Sequence, residues 1–173
     1  MKKIVLFLSC ILALNLSARD FRGNRKDFEP ANNELYKKEC TSCHFSYSPA
    51  MLPANSWNYM MDNLSNHYGT DASLDEESVK SLKEYLQAHS SENSNSKRSR
   101  KITASLEPNV LYTSITQIPY LQKKHRKIEK NLIIQKEVKS LARCAACHKD
   151  ADKGIFDDKT VNIPNYGPWN NKK

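Results

Sequence analysis

The sequence predicts a mainly α-helical protein built as two small domains, the first a compact helical unit and the second irregular with few helices. Three observations carry this. Apolar residues in the first half recur at helical spacing. The run Ser90 to Lys101, Ser-Ser-Glu-Asn-Ser-Asn-Ser-Lys-Arg-Ser-Arg-Lys, holds no apolar residue and reads as a solvated linker. Each flanking segment contains one Cys-x-x-Cys-His pentad, Cys40 to His44 and Cys144 to His148.

The N-terminus comes first. Lys2 and Lys3 precede an apolar stretch, Ile4 to Leu16, too short to span a bilayer. Leu16-Ser17-Ala18 offers a small residue for cleavage, so residues 1–18 read as a signal peptide and the mature chain as starting near Arg19. A retained membrane anchor is the competing reading. Cys10 lies in the middle of the apolar stretch, too early for lipoprotein cleavage. Without the signal, four cysteines remain, all in the pentads, and none is left for a structural disulfide.

Residues 19–89 form the predicted N-terminal domain. Glu34 to Lys38 leads helically into the first pentad. After Pro49 and Pro53, Ser56 to His67 places Trp57, Met60, Met61 and Leu64 on one helix face, and Gly69 stops it. Ser73-Leu74-Asp75-Glu76 has the capping-box pattern and opens a helix with Val79, Leu82, Tyr85 and Leu86 inward. Beyond the linker, residues 102–173 form the second domain. Ile102 to Ile118 lacks periodicity and Pro119 breaks it. A helix follows from about Tyr120 to Lys130, another from Ile133 into the second pentad, and the tail with Gly154, Pro164, Gly167 and Pro168 is mostly loop.

Cys-x-x-Cys-His is the spacing that covalent haem attachment requires: two thiols form thioethers with the porphyrin, and the next histidine faces the iron. Cys40, Cys43, Cys144 and Cys147 are thus expected to attach two haem c groups, with His44 and His148 as proximal iron ligands. Three helices around such a loop suit a class I cytochrome c-like first domain. Apolar content is modest, so two buried porphyrins supply surface the side chains lack, and folding should require haem.

Three other histidines compete for the sixth positions. His67 lies 23 residues after His44 and His125 lies 23 before His148; these are the proposed distal ligands. A dipole-favoured helix end is the alternative for His67. A solvated basic face with Lys123, Lys124, Arg126 and Lys127 is the alternative for His125. His89 is the reserve ligand, or a surface residue. Met51, Met60 and Met61 all lie in the first half and read as core. Two histidines per iron give low-spin, low-potential iron with both positions closed.

The full chain carries +8, and loss of Lys2 and Lys3 with the signal lowers it by two to +6. Haem propionates lower it further, so the charge reads as a basic docking surface for an acidic partner, with no nucleic-acid site. No small-molecule substrate is expected. Zinc held by the four cysteines is the structural alternative, which export and the histidine after each pair disfavour. A dihaem peroxidase is the enzymatic alternative and needs an open iron position. A dihaem electron-transfer subunit of a periplasmic reductase, such as nitrate reductase, is the third.

The stretch Glu39 to Tyr47 with Pro49, then Leu52-Pro53, Ser56-Trp57, Met61, Leu64 and His67-Tyr68-Gly69, resembles the bacterial dihaem cytochrome c (DHC) family. Asp71 to Leu74 continues the match, as do Arg143 to Ala151, Gly154, Phe156 and Ile163-Pro164. The resemblance spans about Glu34 to Pro164 outside the linker. It implies bis-histidine iron at both sites, His44 with His67 and His148 with His125, and a class I type first domain beside a less conventional second one. It further implies a periplasmic electron carrier, not an enzyme, with a membrane b-type cytochrome or a small haem protein as partner. Phe45, Tyr47 and Trp57 would line the first haem or pack in the core. Tyr68 stands where phenylalanine is expected.

Overall fold

The computed structural model describes residues 26–169. The expected signal peptide, 1–18, with Cys10 and the cleavage point near Arg19, lies outside the described residues. Six α-helices, several 3₁₀ turns and one short hairpin make up the described fold.

Helix α1, Glu34–Cys40, starts where the Asn33 side chain accepts a hydrogen bond from the Tyr36 amide at 2.8 Å. It delivers Cys40 at its last residue and leaves the rest of the first pentad in a turn. After a 3₁₀ turn at Pro49–Met51, α2 runs over Ala54–Asp62 and buries Ser56, Trp57 and Met61. It is shorter than the spacing suggests. Asn63 leaves helical geometry at φ −121°, and a 3₁₀ turn at Leu64–Asn66 follows. His67 therefore sits outside the helix. It pairs with Thr70 in a reverse turn, His67 N–H to Thr70 O at 2.8 Å and Thr70 N–H to His67 O at 3.1 Å. Tyr68 (φ 53°) and Gly69 (φ 86°) fill the two central positions, both left-handed as such turns require.

Helix α3, Glu76–Ala88, buries Leu82 and Leu86 as the pattern predicts. Its cap is Asp75, whose carboxylate accepts from the Ser78 amide and hydroxyl, rather than Ser73.

The expected linker is a correction. Residues 90–101 hold a 3₁₀ turn, Ser91–Asn93, and most of α4, Lys97–Thr103. Ser90 and Ser99 are 0% exposed. The Ser91 amide donates to Leu52 O at 2.9 Å, and the Ser99 hydroxyl to Ala50 O at 3.1 Å. Small hydroxyl side chains can be buried against backbone carbonyls, so a run without apolar residues still packs.

In the second half α5 covers Pro119–His125 and α6 only Lys130–Ile134. The expected helix into the second pentad does not form. Gln135 turns extended, and its side-chain amide donates to Leu132 O and Pro164 O at 2.8 and 3.0 Å, satisfying a carbonyl that a longer helix would use. Lys139 at φ 69° then bends the chain. The pentad itself forms a 3₁₀ turn at Cys144–Ala146. The tail is loop apart from β1, Asn162–Ile163, paired antiparallel with β2, Gly167–Pro168.

The core does not divide at residue 90. Phe28, Tyr36, Leu52, Trp57, Leu82 and Leu86 share one cluster with Ile102, Ile115, Ile118 and Phe156. Helices α2 and α3 pack on each other, and α4 packs on α5 and the Pro49–Met51 turn.

Candidate haem sites

The structure brings together the histidines that the spacing pairs. His44 and His67 face each other with ring centres 6.3 Å apart and planes inclined by 39°. His125 and His148 stand 6.2 Å apart with planes at 82°. An iron bonded to one nitrogen of each of two opposed imidazoles, at about 2 Å per bond, separates ring centres by about 6.3 Å. Both separations match that spacing.

Local folding sets up each ring. His44 leaves the α1 turn and places Nδ1 2.8 Å from the Phe45 carbonyl. His125, the last residue of α5, places Nδ1 2.8 Å from the Leu121 carbonyl one turn back. A proton held on Nδ1 by a carbonyl leaves Nε2 as a lone-pair donor, the tautomer that ligates metal. His125 thus points inward although the lysines beside it are exposed. His148 follows the pentad turn, its amide bonded to Cys144 O at 2.8 Å, and its ring lies 5.2 Å from Phe156. The His148 Nδ1 is buried with no hydrogen-bond partner. Burial, reinforced by His125, pushes His148 down to about 4, and burial with His44 lowers His67. Neutral imidazole is the form that binds iron.

His89 goes elsewhere. It is exposed at the end of α3, its Nδ1 on the Tyr85 carbonyl at 2.8 Å. Met51 and Met61 are buried in the core with Met60 packed against it. Trp57 is also core, its indole N–H donating to Pro49 O at 2.8 Å. Phe45 and Tyr47 sit beside His44, with Tyr47 4.9 Å from the imidazole.

Around the second pair lies a partly open cleft with mostly apolar walls. His125, His148, Cys144, Leu121, Ile128 and Val161 line it from the second half. Phe28, Met51 and Arg98 line it from earlier in the chain. Sequence reasoning missed these three. Arg98 comes from the run read as linker; its Nε meets Asp27 Oδ1 at 2.6 Å, and Nη2 donates to Phe156 O at 3.1 Å. The basic run Lys97-Arg98-Ser99-Arg100-Lys101 does not single Arg98 out, whereas the Asp27-Phe28 pair ahead of α1 could have prompted a search for an apolar anchor.

The four thiols suit attachment better than a metal cage. Burial pushes Cys40 up to about 11 and Cys144 up to about 12. Among the described residues no three His, Cys, Asp or Glu side chains converge as a metal site.

Two attachment loops on one helical chain place it among the c-type cytochromes that carry more than one haem. The family model for dihaem cytochrome c matches residues 36–156. The chain belongs to the dihaem cytochrome c family, so two haem c groups are covalently bound, and Cys40 with Cys43 and Cys144 with Cys147 are the attachment pairs that fit. Among solved structures, the diheme cytochrome type c from Shewanella baltica is 34% identical, over 80% of this chain and 98% of its own, with a TM-score of 0.65. The diheme cytochrome c from Rhodobacter sphaeroides is 33% identical, over 74% and 99%, with a TM-score of 0.66. No curated protein matches the chain significantly.

Proposed function

We propose that the protein is a periplasmic electron-transfer relay whose two haems are both bis-histidine and low-spin. The observation that carries this is the separation of the two histidine pairs, 6.3 and 6.2 Å between ring centres. Haem c supplies one-electron redox chemistry when attached. The chain's residues keep that chemistry simple. His44 with His67, and His148 with His125, would hold the two irons, which would leave no place for a peroxide or other substrate. Phe28, Leu121, Val161 and Phe156 give the second site an apolar wall.

Among the described residues no helix is long and apolar enough to cross a membrane, and the stretch read as leader or anchor lies outside them. Export follows from the leader pattern and from haem c attachment. The basic group Lys123, Lys124, Arg126 and Lys127 surrounds the end of α5 next to His125, and Lys124 pairs with Asp158 at 2.8 Å. This edge is where an acidic redox protein, such as a membrane b-type cytochrome or a small haem protein, would dock. A reductase subunit would use the same chemistry with a different partner.

Low-temperature EPR of the oxidised holoprotein tests the ligands. Two low-spin signals are expected. The more steeply crossed pair, His125–His148, should give the larger gmax, because perpendicular imidazole planes leave the iron orbitals nearly degenerate. His67→Ala and His125→Ala should each abolish one signal. If both variants kept both signals, or the resting protein showed high-spin ferric iron, the reading would fail and a peroxidase would return.

A further inference from the structure

Each histidine of the first pair has a tyrosine ring against it. Tyr47 lies 4.9 Å from His44 and Tyr68 lies 4.8 Å from His67, between ring centres. Both hydroxyls then reach the other half of the chain. Tyr47 donates to the Ala142 carbonyl and Tyr68 to the Thr113 carbonyl, each at 2.5 Å. Ala142 lies two residues before Cys144, an attachment residue of the second haem. Through the two tyrosines, His44 and His67 are each linked to a backbone carbonyl of the second half, and His44 to the segment that leads into the second pentad.

Ordinary packing does not account for Tyr68. The residue is 64% exposed, so little burial holds it there. Its φ of 53° is unfavourable for a bulky residue, where glycine or asparagine would cost less. What it gains is the ring contact with His67 and the bond to Thr113.

We propose that Tyr47 and Tyr68 are positioning residues that fix the inclination of the His44 and His67 rings and key it to the second half of the molecule. An aromatic face limits rotation of the neighbouring imidazole, and a hydroxyl bonded to a distant carbonyl limits movement of the tyrosine. The first haem's electronic structure then depends on the second half being in place. This rests on bis-histidine ligation of the first iron.

The test compares full-length holoprotein with Y47F, Y68F and the double variant by low-temperature EPR, haem staining and thermal melting. The first haem's signal is assigned by its loss in H67A. Haem content should stay unchanged. The first haem's gmax should shift and broaden in each single variant and more in the double. The second haem's signal should move with Y47F alone, because only Tyr47 touches its attachment loop. A lower Tm with unchanged spectra would make both tyrosines mere packing and overturn the proposal. If Y68F accumulates no haem, Y68G keeps the left-handed turn without ring or hydroxyl and must show the same first-haem shift; an unshifted spectrum there also overturns it. Failure of the underlying ligation is distinguishable, because the unsubstituted protein would then lack a bis-histidine signal for the first haem.

Discussion

Arg98 shows how much one side chain can hold together. Its guanidinium joins Asp27, the Phe156 carbonyl and the Tyr120 hydroxyl, linking the chain's first described segment, α4, α5 and the loop after the second pentad. Asp27 and Arg98 are each only 20% exposed in the side chain. Arg98→Ala would leave the Asp27 carboxylate without its cation, at a cost of about 2–3 kcal/mol. Thermal melting of the holoprotein followed at the haem absorbance should show a clear drop in Tm, and Arg98→Lys a smaller one, since lysine cannot hold all three partners. An unchanged Tm in Arg98→Ala would contradict this. At this scale the pentads were fully legible, because thioether attachment dictates their spacing. His67 and His125 were legible as candidates by position and scarcity. Arg98 was not, because its role depends on which segments meet and not on its neighbours in sequence.

Helix α2 illustrates the same limit for elements. Its apolar face was readable, yet its first turn has no local side-chain cap. The Ala54 amide instead donates to Glu92 Oε1 at 2.8 Å, from the turn that follows α3. Glu92→Ala should therefore destabilise the protein by about 1 kcal/mol, the worth of a helix cap. The haem spectra should not change, and Glu92→Gln should recover much of the stability. Denaturant titration decides it; equal midpoints for Glu92→Ala and the parent would rule out the cap. Helix α3 was legible because its acidic first turn and buried stripe are local, although its cap is Asp75 and not Ser73. The run 90–101 was misread because its burial is achieved by serines bonded to distant carbonyls. The second half was only partly read, since Gln135 and Lys139 end or redirect helices by contacts and backbone geometry that periodicity does not encode.

For the whole molecule, the shared core replaces the picture of two domains on a tether. Tyr47 to Ala142, the Phe156 amide to the Asp27 carboxylate at 2.8 Å and the Phe28–Phe156 contact at 5.7 Å all cross the expected boundary. Holoprotein should accordingly unfold in a single cooperative transition, with absorbance changes at both haems superimposing. Two separable transitions would restore independent domains. Protein made without haem maturation should be largely disordered by circular dichroism, because the clefts that complete this core need porphyrin to fill them. Cooperative melting of such apoprotein would contradict that dependence.

Gly154 closes the chain on itself. Its carbonyl accepts the amides of Asp27 and Phe28 at 2.8 and 3.1 Å, and a Cβ there would fall 2.0 Å from the Phe28 carbonyl oxygen. The stretch preceding α1 is therefore no spare end for the protein engineer. A purification tag or fusion partner joined directly before Asp27 would be drawn against the wall of the second haem cleft. Residues preceding Asp27 should be kept as a spacer, and a graft there judged by its effect on the haem at the opposite end of the sequence.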